Sequence, residues 1–213
     1  MDNSAIPLTA NFEPKNYWVA LETAREKLKV GDPVRMANNS GCEYENNRFK
    51  VICLNHTFSI SFPEGRVTYQ ESELQPAMPL QLIMLNYLSR ADGTPLTYNF
   101  ITYRDLDGGT AFYDAFFRTA IKPISDHFGM NPELLIKAAQ AFGGVPFPHS
   151  TGTAVLIYLL PRVPLLYQLW AGDDEIPAQA NILFDRTANH YLHTEDLATA
   201  DYVSRLLIAQ SQK

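Results

Sequence analysis

The chain has 213 residues and a mass of 24.0 kDa, which fits one large domain or two small ones, and its 46% hydrophobic content is that of a globular protein rather than a disordered or fibrous one. Two cysteines are too few for a disulfide scaffold, and no apolar run approaches the roughly 18 to 20 residues of a membrane span. Seventeen basic against twenty-three acidic residues give a net charge of −6 with no local basic patch, so a nucleic-acid partner is not expected.

The opening Met1-Asp2-Asn3-Ser4 has neither the basic start nor the apolar stretch of a signal peptide, and the chain reads as cytoplasmic. The first predicted element is a helix from about Pro14 to Lys29, with Tyr17, Leu21, Ala24 and Leu28 in one apolar stripe and Glu22, Arg25, Glu26 and Lys29 opposite. Gly31 suits the position past its end, and Asp32-Pro33 supplies a cap and first-turn proline for a second, short helix. Strands are predicted at about Glu43 to Glu45, Arg48 to Leu54, Thr57 to Phe62 and Arg66 to Tyr69. In the third, Phe58, Ile60 and Phe62 alternate with Ser59 and Ser61, which puts one face in a core and one in water. Asn46-Asn47 and Glu64-Gly65 provide turns.

The middle of the chain is helical. Leu80 to Leu88 is apolar almost all round and predicts a central helix. The polar segment Arg90 to Pro95 ends it, and Tyr98 to Tyr103 fits a short strand. A helix from about Thr110 to Phe128 follows, which Pro123 should kink or split. Asn131-Pro132-Glu133 caps another, carrying Leu134, Leu135, Ala138, Ala139 and Phe142 and stopped by Gly143-Gly144.

The last third reads as an antiparallel meander. Ala154 to Leu160 and Leu165 to Trp170 are apolar runs of strand length, joined by Pro161 to Pro164, and a third strand spans about Asn181 to Asp185. Thr194 is the expected N-cap of a terminal helix with Leu197, Ala200, Val203, Leu206 and Leu207 on its apolar side. Strands, then helices, then strands and a helix argue for a single α+β domain over residues 1–213: antiparallel sheets, a helical middle segment and a C-terminal helix.

Motifs that would fix a chemistry are weak. Cys42, Cys53 and His56 lack a fourth ligand at zinc-finger spacing, and the predicted hairpin leaves the two cysteines diagonal, so they read as buried free thiols. His190 and His193 could bind zinc if a carboxylate such as Asp185 completed the set, with His149 joining only if the fold brings it back, but no H-E-x-x-H motif is present and the pair reads as surface histidines beside an acidic helix start. Asp173-Asp174-Glu175 fits a solvated turn, and Asp105 to Thr110 lacks the ligands of a calcium loop. Gly143 to Gly152 has the glycines and hydroxyls of an anion cradle without a Walker lysine, and its prolines fit a rigid connector. There is no G-x-S-x-G elbow. His127 fits a helix C-terminus. Trp18, Trp170, eleven tyrosines and twelve phenylalanines are mostly core, with enough left over to line a pocket for a flat cofactor.

Several spaced segments carry a family resemblance: Leu160-Pro161-Arg162-Val163-Pro164-Leu165, Leu169 to Pro177, Ala180 to Asp185, Thr194-Glu195-Asp196-Leu197, Arg90 to Pro95 and Cys42-Glu43-Tyr44. Together they resemble the domain-of-unknown-function family numbered 3786, found mainly in anaerobic bacteria and archaea. The family brings no established activity. Some relatives append a cysteine-rich iron–sulfur segment, which implies an anaerobic redox or corrinoid-related setting; this chain carries no such segment. Two readings stand. One is a non-catalytic binding or accessory module for a small cofactor or a protein partner, with His149, Trp170, Asp185, Arg186, His190 and His193 as candidate ligand-binding residues. The other is an enzyme whose site assembles from Asp185, Arg186, His190, His193 and His149. A third, a subunit of a larger complex, has no motif of its own. The sequence names no cofactor, no metal ligand set and no oligomeric state.

Overall fold

The computed structural model describes residues 15–213. Pro14, where the first helix is predicted to start, and Met1-Asp2-Asn3-Ser4 lie outside the described residues. The chain divides into two compact units: one holds residues up to Pro95 together with Leu160–Arg162 and His190–Leu192, the other holds Leu96–Leu159, Val163–Asn189 and His193–Lys213. Sheets in both are antiparallel, and the chain ends on a helix, so the α+β class predicted from the residue pattern is the one observed.

In the first unit, α1 (Lys15–Lys29) buries Leu21, Ala24 and Leu28 and packs on α3 (Met78–Arg90). Between them in the chain, α2 (Pro33–Ser40) starts at Asp32, whose carboxylate accepts from the N–H of Val34 at 2.9 Å and Arg35 at 3.1 Å, and stops at Gly41, where φ of 70° suits glycine. Four strands, β1 (Glu43–Glu45), β2 (Arg48–Cys53), β3 (His56–Ser61) and β4 (Val67–Tyr69), pair in sequence order. Tyr44 faces Phe49 as the Asn46-Asn47 turn requires, both asparagines having positive φ.

The second hairpin differs from expectation by one residue at each strand end. Leu54 and Asn55, at φ 48° and 62°, form its two-residue turn, so β2 stops at Cys53 and β3 begins at His56. Leu54 tolerates this costly backbone because its side chain is fully buried. Phe58 and Ile60 point into the core while Ser59 and Ser61 lie on the other face, and α3 buries Leu80, Ile83, Met84, Leu85, Tyr87 and Leu88 as the central helix of the unit.

The second unit opens with β5 (Phe100–Thr102) and a tight 3-10 turn, Tyr103–Asp105. The long helix predicted next is split by Pro123: α4 (Gly109–Phe116) passes into a π-helical turn, Phe117–Ile121, and then α5 (Lys122–Phe128). Proline has no N–H for Thr119 and its ring would strike that carbonyl, and the wider turn, with Lys122 N–H donating to Phe117 O, absorbs both. Helix α6 (Pro132–Gln140) follows Asn131, which holds the cap position without a side-chain bond to the helix.

Strands β6 (Val145–Pro146), β7 (Thr153–Leu160), β8 (Val163–Trp170) and β9 (Gln179–Asp185) complete a five-stranded sheet in the order β5-β9-β8-β7-β6. Strand β6 falls in the stretch from Gly143 to Gly152, whose prolines fit a rigid connector by sequence. Its proline is tolerated because it lies at a sheet edge. The terminal helix also departs from expectation, since His193 occupies the cap position and Thr194 is the first helical residue, its hydroxyl donating to Asp107 O at 2.7 Å. Two turn residues then divide it into α7 (Thr194–Leu197) and α8 (Ala200–Ser211).

Candidate ligand-binding face

The five-stranded sheet has two unlike faces. Toward one lie α5 and α8, with Tyr167 of β8 donating its hydroxyl to Ala200 O at 3.2 Å. On the other, Ala154, Leu156 and Leu166 form an apolar floor, against which Phe100, Phe147, Tyr158 and Leu183 pack half-buried. Alternation along the strands carries this face onward. Leu166 pairs with Leu183, then Gln168 with Asn181, then Trp170 with Gln179.

Aromatic groups line its margins. The Trp170 ring meets His149 edge to face at 5.6 Å, and its indole N–H donates to Thr151 Oγ1 at 3.3 Å, while Thr151 N–H donates to His149 Nδ1 at 3.4 Å. Phe100 and Phe147 make a second edge-to-face pair at 5.8 Å. The hydroxyls of Tyr98 and Tyr158 lie 3.2 Å apart. Burial, the Tyr98 hydroxyl and the charge of Asp185 push Tyr158 up to about 12, so it stays a neutral donor.

Asp185 sits at the end of β9 on the same face, opposite Phe100. It is fully buried. Thr187 donates to it from N–H at 3.0 Å and hydroxyl at 2.7 Å, Thr97 from hydroxyl at 3.1 Å and N–H at 3.2 Å, and Tyr98 from its N–H. Burial alone would raise its pKa, but these donors outweigh it and hold the carboxyl below the ordinary range. Five donors leave this carboxylate as the anchor of the 97–98 segment rather than a base open to substrate.

The other sequence-predicted residues have different surroundings. Arg186 is exposed just past β9, with its N–H on Asn99 O at 2.9 Å. His193 is exposed at the start of α7, its N–H donating to Asp196 Oδ2 at 3.3 Å. His190 belongs to the first unit, where its Nδ1 lies 2.7 Å from Asp92 Oδ2 and 3.1 Å from Thr94 Oγ1. Both partners meet the same nitrogen, so this is not the relay of a hydroxyl nucleophile, which needs the two ring nitrogens separately.

Of the six, then, His149, Trp170 and Asp185 share this face of the sheet, the first two half-buried and Asp185 fully buried. Sequence reading missed Tyr98, Phe100, Phe147, Tyr158, Gln168 and Asn181 beside them. A signal existed in Gln168, the single polar residue in an apolar strand, and in the alternation of β9. Among the described residues no group of three or more His, Cys, Asp or Glu side chains is placed to hold a metal ion. Cys53 is buried and Cys42 half-buried, both as free thiols; burial pushes Cys42 up to about 11, and Cys53 higher still.

Fold and face together define an α+β protein whose five-stranded sheet carries a half-buried aromatic cluster on one face. The family model described as Domain of unknown function (DUF3786) matches residues 32–204, and the chain belongs to that family. Comparison with curated proteins and with solved structures finds no match. Among the described residues no helix is long and apolar enough to cross a membrane.

Proposed function

We propose that the protein is a ligand-binding module whose half-buried aromatic sheet face takes a flat aromatic small molecule. One observation carries this reading: Phe100, Phe147, Tyr158 and Leu183 pack half-buried around the floor of Ala154, Leu156 and Leu166, with Trp170 and His149 at one end. A planar ring system laid on such a surface buries roughly 150 to 250 Å² of apolar area, worth about 4 to 6 kcal/mol before ordering costs. Gln168, Asn181 and the tyrosine hydroxyls supply the few polar groups that would fix its orientation.

The enzyme alternative built from Asp185, Arg186, His190, His193 and His149 draws less support, because Asp185 already has its oxygens occupied by Thr97, Tyr98 and Thr187. A cofactor of anaerobic redox or corrinoid-related metabolism is the setting the family resemblance favours, and a cytoplasmic location without a nucleic-acid partner is what the composition favours. The chain returns from the second unit to the first at Leu160–Arg162 and at His190–Leu192, which supports reading the whole as one α+β domain rather than two in series.

The test uses Trp170 as its own reporter. In a Trp18→Phe variant it is the sole tryptophan. Titration with 8-anilinonaphthalene-1-sulfonate, a flat aromatic probe, should quench Trp170 saturably, and Leu183→Lys should abolish the effect while leaving the circular dichroism unchanged. Quenching that persists in Leu183→Lys, or no quenching at saturating probe, would overturn the assignment.

A further inference from the structure

A separate feature of the first unit carries its own chemistry. The segment Gln70–Glu73 after β4 curls beside the polar face of the four-stranded sheet, held by Gln70 N–H on Thr57 O at 3.1 Å, Tyr69 N–H on Leu74 O at 3.0 Å and an Arg66–Glu73 ion pair at 2.8 Å. Between segment and sheet lies a cleft of about 420 Å³ lined by Arg48, Ser59, Thr68, Gln70, Glu71, Ser72 and Glu73. Register explains the floor, because Ser59 pairs with Thr68 and so shares its face. Thr68 is only 4% exposed and still lines the cleft, which presents a hydroxyl at the bottom of a built concavity rather than on an open surface.

The charges are arranged asymmetrically. Glu73 is satisfied by Arg66, whereas among the described residues Arg48 and Glu71 form no ion pair, and Arg48 donates one hydrogen bond to Ser59 Oγ at 3.2 Å. The cleft thus offers one guanidinium, two carboxylates of which Glu73 is already paired with Arg66, hydroxyls and a carboxamide, and no aromatic or aliphatic side chain. A sugar would need an apolar or aromatic surface to stack on, and a simple anion would meet Glu71 as well as Arg48. We infer that this cleft is a binding site for a small zwitterion of the α-amino-acid type, its carboxylate on the Arg48 guanidinium and its ammonium on Glu71, with Ser59 and Thr68 beneath. Guanidinium–carboxylate pairs are the strong, directional hydrogen bonds of protein recognition, and a second charge of opposite sign at the other end selects the zwitterion over either half.

The inference is independent of the sheet face in the other unit and is tested apart from it. Glycine, L-serine and L-glutamine are titrated into the nitrogen-15-labelled protein with amide shifts as readout, beside acetate, methylammonium and glucose as partial or competing ligands. Saturable shifts at Thr68, Gln70, Glu71 and Ser72 are expected with at least one amino acid at about 10 mM or below, with Arg48→Gln and Glu71→Gln each weakening binding about tenfold. Both side chains are exposed, so the variants should fold, and unchanged amide spectra elsewhere would confirm it. Absence of saturable shifts with all three amino acids, acetate binding as well as they do, or glucose binding in their place would overturn the proposal.

Discussion

Thr187 grips Asp185 twice, donating from its backbone N–H at 3.0 Å and from its hydroxyl at 2.7 Å, and so turns the chain sharply at the end of β9. With Thr97 and Tyr98 donating from the other side, the buried carboxylate ties the start of the second unit to its last strand. Asp185→Asn keeps the shape but puts an amide N–H₂ where donors already converge, and should cost about 2 to 4 kcal/mol in denaturant unfolding. A loss below 1 kcal/mol would show that the donors find other partners.

The same carboxylate sets a pH dependence. Because its folded-state pKa is held below the free value, it contributes stability above about pH 4 that is lost as the pH falls through the folded-state pKa. Thermal unfolding of the native protein should therefore steepen in its decline below pH 4, and Asp185→Asn should flatten that part of the profile. Parallel profiles for the two proteins would contradict this.

In the first unit, Asp92 is lowered to about 2, chiefly by its hydrogen bond to His190 and further by the backbone N–H of Thr94. Both side chains are half exposed, so solvent screens the pair and little stability rests on it. His190→Ala should raise the Asp92 pKa toward the ordinary carboxylate range without restoring it fully, since Thr94 N–H remains at 2.9 Å. Carbon-detected NMR titration of the carboxyl reads this directly; an unchanged value would mean that His190 does not hold Asp92 in solution.

The Leu54-Asn55 hairpin offers a stabilising change. Asn55 already has φ of 62°, a conformation that glycine adopts at no steric cost and that suits the second position of this turn. Asn55→Gly should raise stability by about 0.5 kcal/mol, whereas Asn55→Val should lower it by 1 kcal/mol or more. Equal stabilities would show that the turn relaxes in solution.

Both thiols should resist a disulfide-exchange reagent. Burial keeps the Cys42 pKa near 11 and that of Cys53 above it, so neither forms thiolate at neutral pH. Ellman's reagent at pH 8 should react slowly with the native protein and with two thiols after denaturation. Rapid reaction of one equivalent would place Cys42 in a more open setting.

These residues also show what was legible in the sequence. Period-two alternation at Phe58 and Ile60, the asparagine turn and the capping by Asp32 are local signals, and they gave strands, register and helix starts within a residue or two. Leu54 in a left-handed turn was not legible, since nothing local favours it and only its buried side chain holds it there. Strand β6 was not legible because Pro146, with Pro148 just after it, fits a connector, and only its pairing with β7 makes the segment a strand. The face itself was half legible. Trp170 and His149 stand out by type, but Tyr98, Phe100, Phe147 and Tyr158 come from three separate stretches and converge only when β5, β6 and β7 join one sheet. Asp185 looked like a reactive group for the opposite reason: sequence shows a carboxylate and not the donors from residues 97, 98 and 187 that saturate it.

The most direct test of the binding face is native mass spectrometry of the protein purified without air from its own host, alongside Trp170→Ala purified identically. A stoichiometric extra mass with an aromatic chromophore, lost in Trp170→Ala, is the predicted result. An apo mass for the native protein, or a bound mass retained by Trp170→Ala, would contradict it.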